Sequence, residues 1–139
     1  MVRAALTALA GELVELDVAG HRGWTTAAGA AAVATAEPDH TVRLLPGFDP
    51  YVVGVLRQLE HLVPAGHRAA VSRASGWISP VLLHGGRIVG TWAQEQAGGR
   101  LRITVTPPTR LPPAVRSAAA AEAERWAGYA DTPLDLVWS

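Results

Sequence analysis

Cysteine is missing from the chain, so it can form neither a disulfide framework nor a thiolate metal site, a composition that fits a reducing compartment. Lysine is missing too. All twelve basic residues are arginine, and twelve acids balance them to a net charge of zero. A domain with that balance lacks the broad positive field of an autonomous nucleic-acid binder, so any phosphate affinity must come from local clusters. The arginine-only usage, with abundant alanine, reads as genome base composition rather than selection for function. Long apolar runs are absent as well: "WTTAAGAAAVATA" falls short of the roughly 20 residues of a membrane span. The start, "MVRAALTALAG", has the outline of a signal peptide, but its apolar run is short and acids follow at once, so it reads as a cytoplasmic helix. Histidines are few and scattered. His61 and His67, six residues apart, do not share a helix face, so no metal and no cofactor is expected.

What is present suffices for a packed core: 139 residues, 49% of them hydrophobic. Residues 3–10 read as a short helix with nothing before it to cap or cover it, as if the chain began within a larger structure. Val14, Leu16 and Val18 then alternate with Glu15 and Asp17, which predicts a strand, and "AGHRG" turns the chain back into "WTTA". Helix, strand, turn, strand is the closing half of a winged helix, with His21 and Arg22 at the wing. Residues 28–36 form a weak helix or linker.

Beyond it, "TVRLLPGFDPY" predicts a short strand ending at Pro46. Asp49 then caps a helix through "YVVGVLRQLEHLV", with Pro50 in its first position. Three strands follow, at about 78–84, 87–96 and 100–106, joined by two-residue turns at Gly85-Gly86 and Gly98-Gly99. In the first hairpin this sets Leu83 against Ile88, Val81 against Gly90 and Ser79 against Trp92. In the second it sets Glu95 against Arg102, Gln94 against Ile103 and Trp92 against Val105. Val115, Ala119, Ala123, Trp126 and Ala130 form one stripe of a C-terminal helix that packs on the sheet. Leu134, Leu136 and Trp138 share a face of a last strand. The fold class is therefore α+β: the end of a winged helix (1–36, with a linker), then a domain (37–139) in which a small, mostly antiparallel meander is packed by a C-terminal helix.

The segments "LLPGFDPY", "GWISPVLLHGGRIVGTW", "LPPAVRSAAAAEAERWAGYA" and "LDLVWS", in this order, resemble the C-terminal part of the AlkZ-like winged-helix DNA glycosylases of the azinomycin-resistance type, and "ALTALAGELVELDVAGHRGW" resembles the end of a preceding winged helix. The resemblance implies tandem winged helices and a β-rich C-terminal region gripping duplex DNA, with a bacterial, DNA-repair role. It also implies a catalytic Gln, aliphatic, Gln-or-Asp signature in an early winged helix, which this chain lacks. The expectation is a fragment that is not a glycosylase by itself and that scaffolds DNA contacts in a larger parent. Gln94-Glu95-Gln96 repeats the spacing of that signature, but its middle residue is charged and pairs across the strand with Arg102.

The remaining candidates are arginine and histidine at turns. His21, Arg22, Arg73, Arg87 and Arg100 are the expected DNA contacts, since the planar guanidinium suits phosphate oxygens and a hairpin is narrow enough to enter a groove. Arg87 and Arg100 follow opposite turns and so belong to opposite ends of the sheet. Asp49, the acid best placed for glycosylase chemistry, is fully accounted for as a helix cap. Glu60 and His61 pair an acid with a base by composition alone. The five tryptophans read as core, with Trp77, beside Gly76, the least secure. Double-stranded DNA is the expected partner. Two alternatives are a dimerisation module without useful DNA affinity and a small-ligand pocket between the sheet and the alanine-rich helix.

Overall fold

A computed structural model describes every residue except Met1, Ala19 and residues 56–58; of Val2, Arg3, Ala5, Leu59 and Glu60 it gives the backbone alone. The chain divides into two compact units, Met1–Pro38 and Asp39–Ser139. The class is α+β, with antiparallel pairing dominant.

In the first unit, helix α1 (Val2–Ala8) leads into strands β1 (Leu13–Val18) and β2 (His21–Thr26), an antiparallel ribbon, and then helix α2 (Ala27–Ala34). The Thr26 hydroxyl accepts from Gly29 N–H and caps α2. Trp24 corrects its expected core placement: it lies opposite Glu15 on the ribbon and is 45% exposed.

The second unit is a five-stranded sheet in the order β3 (Val42–Leu45), β4 (Val81–His84), β5 (Arg87–Ala97), β6 (Arg100–Thr106), β7 (Leu134–Trp138). The expected three-stranded meander is thus extended by one strand at each edge. β7 runs parallel to β6, which requires a crossover, and helix α6 (Pro113–Tyr129) supplies it. Pro113 stands at the first helical position, where a missing N–H costs nothing. Asp131, in the left-handed region at φ 47°, ends the helix, with the N–H of Thr132 donating to Ala127 O and that of Asp131 to Gly128 O.

Three short helices connect β3 to β4: α3 (Pro50–Gly54), α4 (Leu59–Leu62) and α5 (Arg68–Val71). The single helix expected from Asp49 onward begins as predicted, with the Asp49 carboxylate accepting from Tyr51 N–H at 2.9 Å, but α3 is capped at Val55. Two β-branched valines and a glycine among its five residues, with a third valine at the cap, give it weak helical preference. The link at 56–58 lies outside the described residues.

Two apolar clusters occupy opposite sides of the sheet. Val115, Ala119, Ala123 and Ala127 of α6 pack on Leu82, Trp92, Leu101, Ile103 and Val105; Val52, Val63 and Val71 pack on Ile78, Val81 and Ile88. The helix stripe departs from expectation at two places. Ala130 is exposed, and Glu122 is buried, its carboxylate shared by Arg43 of β3 and by Arg125.

The second hairpin has the expected register throughout: Glu95 opposite Arg102, Gln94 opposite Ile103, Trp92 opposite Val105. The first does not. Leu83 pairs with Ile88, but then Leu82 pairs with Gly90 and Val81 with Thr91, so Val89 is an extra residue in a β-bulge. The bulge has a packing cause. Without it Trp92 would share a face with Val81 and Ile88; with it Trp92 turns to the α6 side, where its ring meets Trp126 edge-on at 5.1 Å and its Nε1–H donates to Leu45 O at 2.8 Å.

Candidate nucleic-acid interface

The Gly85-Gly86 turn is held from outside. Both glycines have positive φ (56° and 74°), as a tight hairpin turn requires. Gly85 N–H donates to Thr41 O at 3.2 Å, and the Tyr51 hydroxyl donates to Gly86 O at 2.7 Å. Thr41 is itself fixed: its N–H and hydroxyl both donate to the Asp39 carboxylate, at 2.8 and 2.6 Å. Those two bonds hold the Asp39 carboxyl below its ordinary pKa. A β-carbon on Gly85 would sit 2.9 Å from Asp39 O, so this close approach of turn and support admits only glycine. Arg87 follows this turn, opposite His84. It is exposed and carries no ion pair among the described residues.

The Gly98-Gly99 turn has the same backbone (φ 58° and 73°) and no such support: β-carbons there would meet nothing within 4 Å. Arg100 follows it, also exposed, but its guanidinium is engaged, donating to Leu134 O at 2.6 Å. Its neighbour Arg102 donates to Asp135 at 2.7 Å and to Glu95 at 3.4 Å, which raises its pKa, the Asp135 hydrogen bond being the main cause. The two turns lie at opposite ends of the eleven-residue β5, roughly 30 Å apart at a strand's rise per residue. The structure does not bring Arg87 and Arg100 together.

On the ribbon of the first unit, Asp17 accepts from Gly20 N–H at 2.8 Å and shapes the turn, His21 opens β2 opposite Val18, and Arg22 is ion-paired with Glu15 at 3.2 Å. Arg73 stands alone, exposed, in the tight turn after α5. Of the five sequence-derived candidates, Arg73 and Arg87 thus present guanidinium groups with neither an ion pair nor a hydrogen bond among the described residues. Asp49 is engaged as a cap, Glu95 is ion-paired, and the Glu60 side chain lies outside what is described.

Sequence reasoning missed Arg110 and Arg116. Arg116, in the first turn of α6, lies 4.1 Å above the Trp138 ring, and both arginines line an open groove of about 770 Å³ with Pro107, Pro108 and Ser139. The available signal was the "TPPTRLPP" loop, which places an arginine among residues that cannot continue a strand. No helix among the described residues is long and apolar enough to cross a membrane.

Comparison with known proteins gives a consistent result. A family model described as DNA glycosylase AlkZ-like matches residues 1–129. An interstrand DNA cross-link repair glycosylase of Streptomyces sahachiroi is 39% identical over 127 residues, which is 91% of this chain and 34% of that protein. Among solved structures, the Streptomyces sahachiroi DNA glycosylase AlkZ superposes with a TM-score of 0.78 at 35% identity, over 98% of this chain and 36% of the other. The chain spans about a third of the length of these relatives.

Proposed function

We propose that this chain, which belongs to the family of AlkZ-like DNA glycosylases, is a DNA-contacting and scaffolding region of a bacterial cytoplasmic repair protein, and that it does not excise a base on its own. The first unit, helix, ribbon and helix, acts as the closing part of a winged helix. The second presents arginines to the phosphate backbone, and the chemistry belongs to residues beyond these. The observation that carries the reading is Arg87: an exposed guanidinium without an ion pair among the described residues, on a turn fixed by Thr41 and Tyr51, in a chain of this family. A rigid mount matters because a backbone already fixed loses less conformational entropy when its side chain meets a phosphate. Arg73 is the second such group. Arg22 and Arg100, each already engaged, and His21 at the ribbon turn contribute less.

Duplex binding followed by fluorescence anisotropy across a salt series tests this. Phosphate contacts release counterions, so log affinity falls linearly with log salt, by about 0.9 per contact, with dissociation constants of order 10⁻⁴ to 10⁻⁶ M at physiological salt. Affinity that is absent at low salt contradicts the reading. A second reading, self-association through the ribbon, is favoured by Val14, Val18 and Trp24, all exposed there; a doubled mass in light scattering without duplex binding would select it.

A further inference from the structure

A groove on the opposite side of the sheet from α6 carries Arg73 at its edge but otherwise has no part in the reading above. Its floor is formed by the hydroxyl-bearing Thr91 of β5 and Thr104 and Thr106 of β6, its wall by Ser79, and its lip by Arg73 and Trp77; it holds about 530 Å³, within the usual size range of small-ligand sites. Three observations point to a ligand. Trp77 is 50% exposed, and it is held rather than loose: Arg73 N–H donates to Trp77 O at 2.9 Å across a turn that Gly76 closes at φ 79°, and the Phe48 ring abuts it edge-on at 5.2 Å. Phe48 adopts φ 60°, a conformation unfavourable for an aromatic residue, and it is itself 49% exposed. The Ser79 hydroxyl is buried, with its residue 3% exposed, and has no hydrogen-bond partner among the described residues, an arrangement that costs free energy unless something else satisfies it. Finally, among the described residues lining the groove, Arg73 alone carries charge, which makes the lip attractive to an anion.

We infer that this groove binds one unpaired nucleotide, its base stacked on Trp77, its phosphate on Arg73 and its polar edge toward the serine and threonine hydroxyls. A flat aromatic platform beside a guanidinium matches both the stacking face and the phosphate of a nucleotide. The biological source, a displaced or unpaired strand of DNA, rests on the function proposed above; the pocket itself does not.

The test is a two-dimensional ¹⁵N–¹H NMR titration of the full chain with deoxyadenosine 5′-monophosphate, with 2-deoxyribose 5-phosphate as the control. The expected result is saturable movement of the Trp77 indole N–H and of amides at 73–79, 91 and 104–106, with affinity reduced about tenfold in Trp77→Ala, largely retained in Trp77→Phe, and weakened in Arg73→Gln. Arg73→Gln changes an exposed side chain and keeps the test valid if Trp77→Ala fails to fold. No movement, or equal movement with the base-free control, overturns the inference. Nucleotide shifts in a chain that binds no duplex would overturn the proposed function and leave the pocket standing.

Discussion

The two glycine pairs of the sheet have the same residues and the same backbone angles, yet one turn is a braced support and the other a free end. Gly85-Gly86 is tied to Thr41 and Tyr51 on either side, and its register is displaced by the Val89 bulge. At Gly98-Gly99 added β-carbons would meet nothing within 4 Å among the described residues, and the register runs unbroken from Ala97–Arg100 to Thr91–Thr106. Turn chemistry alone fixes the local path of a hairpin; what the hairpin then does depends on partners distant in sequence. The arginine after each turn shows the consequence: Arg87 is presented outward from the braced turn, whereas Arg100 folds back on Leu134 O beside the free one.

The largest expected contrast is in stability. Gly85→Ala combines a positive φ with a 2.9 Å clash against backbone and is expected to cost about 2–3 kcal/mol, whereas Gly98→Ala, strained but in open space, is expected to cost about 1 kcal/mol. Urea denaturation of the two variants measures the difference, and equal costs would remove the distinction between the turns. Next in size is Tyr51→Phe, which deletes the hydrogen bond to Gly86 O and is expected to cost about 1 kcal/mol, with amide exchange quickened at 85–88 and unchanged at 98–100.

The smallest contrast is in pH. The Asp39 carboxyl is held below its ordinary value of 3.8 by its hydrogen bonds to Thr41. A carboxyl lowered in the folded state contributes stability that is fully present above the unfolded value and is lost as pH falls through the folded one. Acidification below pH 4 should therefore loosen the Gly85 turn, which hangs from Thr41, before the Gly98 turn. Amide exchange followed from pH 5 downward reads the order, and Asp39→Asn should abolish it.

Much of this architecture was legible in the residues. The second hairpin followed from Gly98-Gly99 and the facing Glu95 and Arg102, and the cap at Asp49 from the proline after it, because each is a local rule with local partners. The bulge was not read, although Gly90 carried its mark: a glycine within a strand signals a bulge or a close backbone approach, and here a β-carbon would lie 3.1 Å from Thr106 O. Nor was the burial of Glu122 foreseen, since alanine neighbours conceal a carboxylate whose partner Arg43 is 79 positions away. Trp24 and Trp77, the latter already the least secure of the expected core tryptophans, are exposed, because exposure is decided by what covers a face, which no periodicity records. The positions of the candidate residues at or beside turns were legible, but the ion pair of Arg22 with Glu15 and the hydrogen bond of Arg100 to Leu134 O separate the engaged from the available only in three dimensions.

The most direct test of that separation is the salt dependence of duplex binding for Arg87→Ala beside Arg100→Ala. The account predicts weaker binding for Arg87→Ala, with a log–log salt slope shallower by about one contact, and a clearly smaller change for Arg100→Ala. Equal slopes for the two variants, or an unchanged slope for Arg87→Ala, would contradict it.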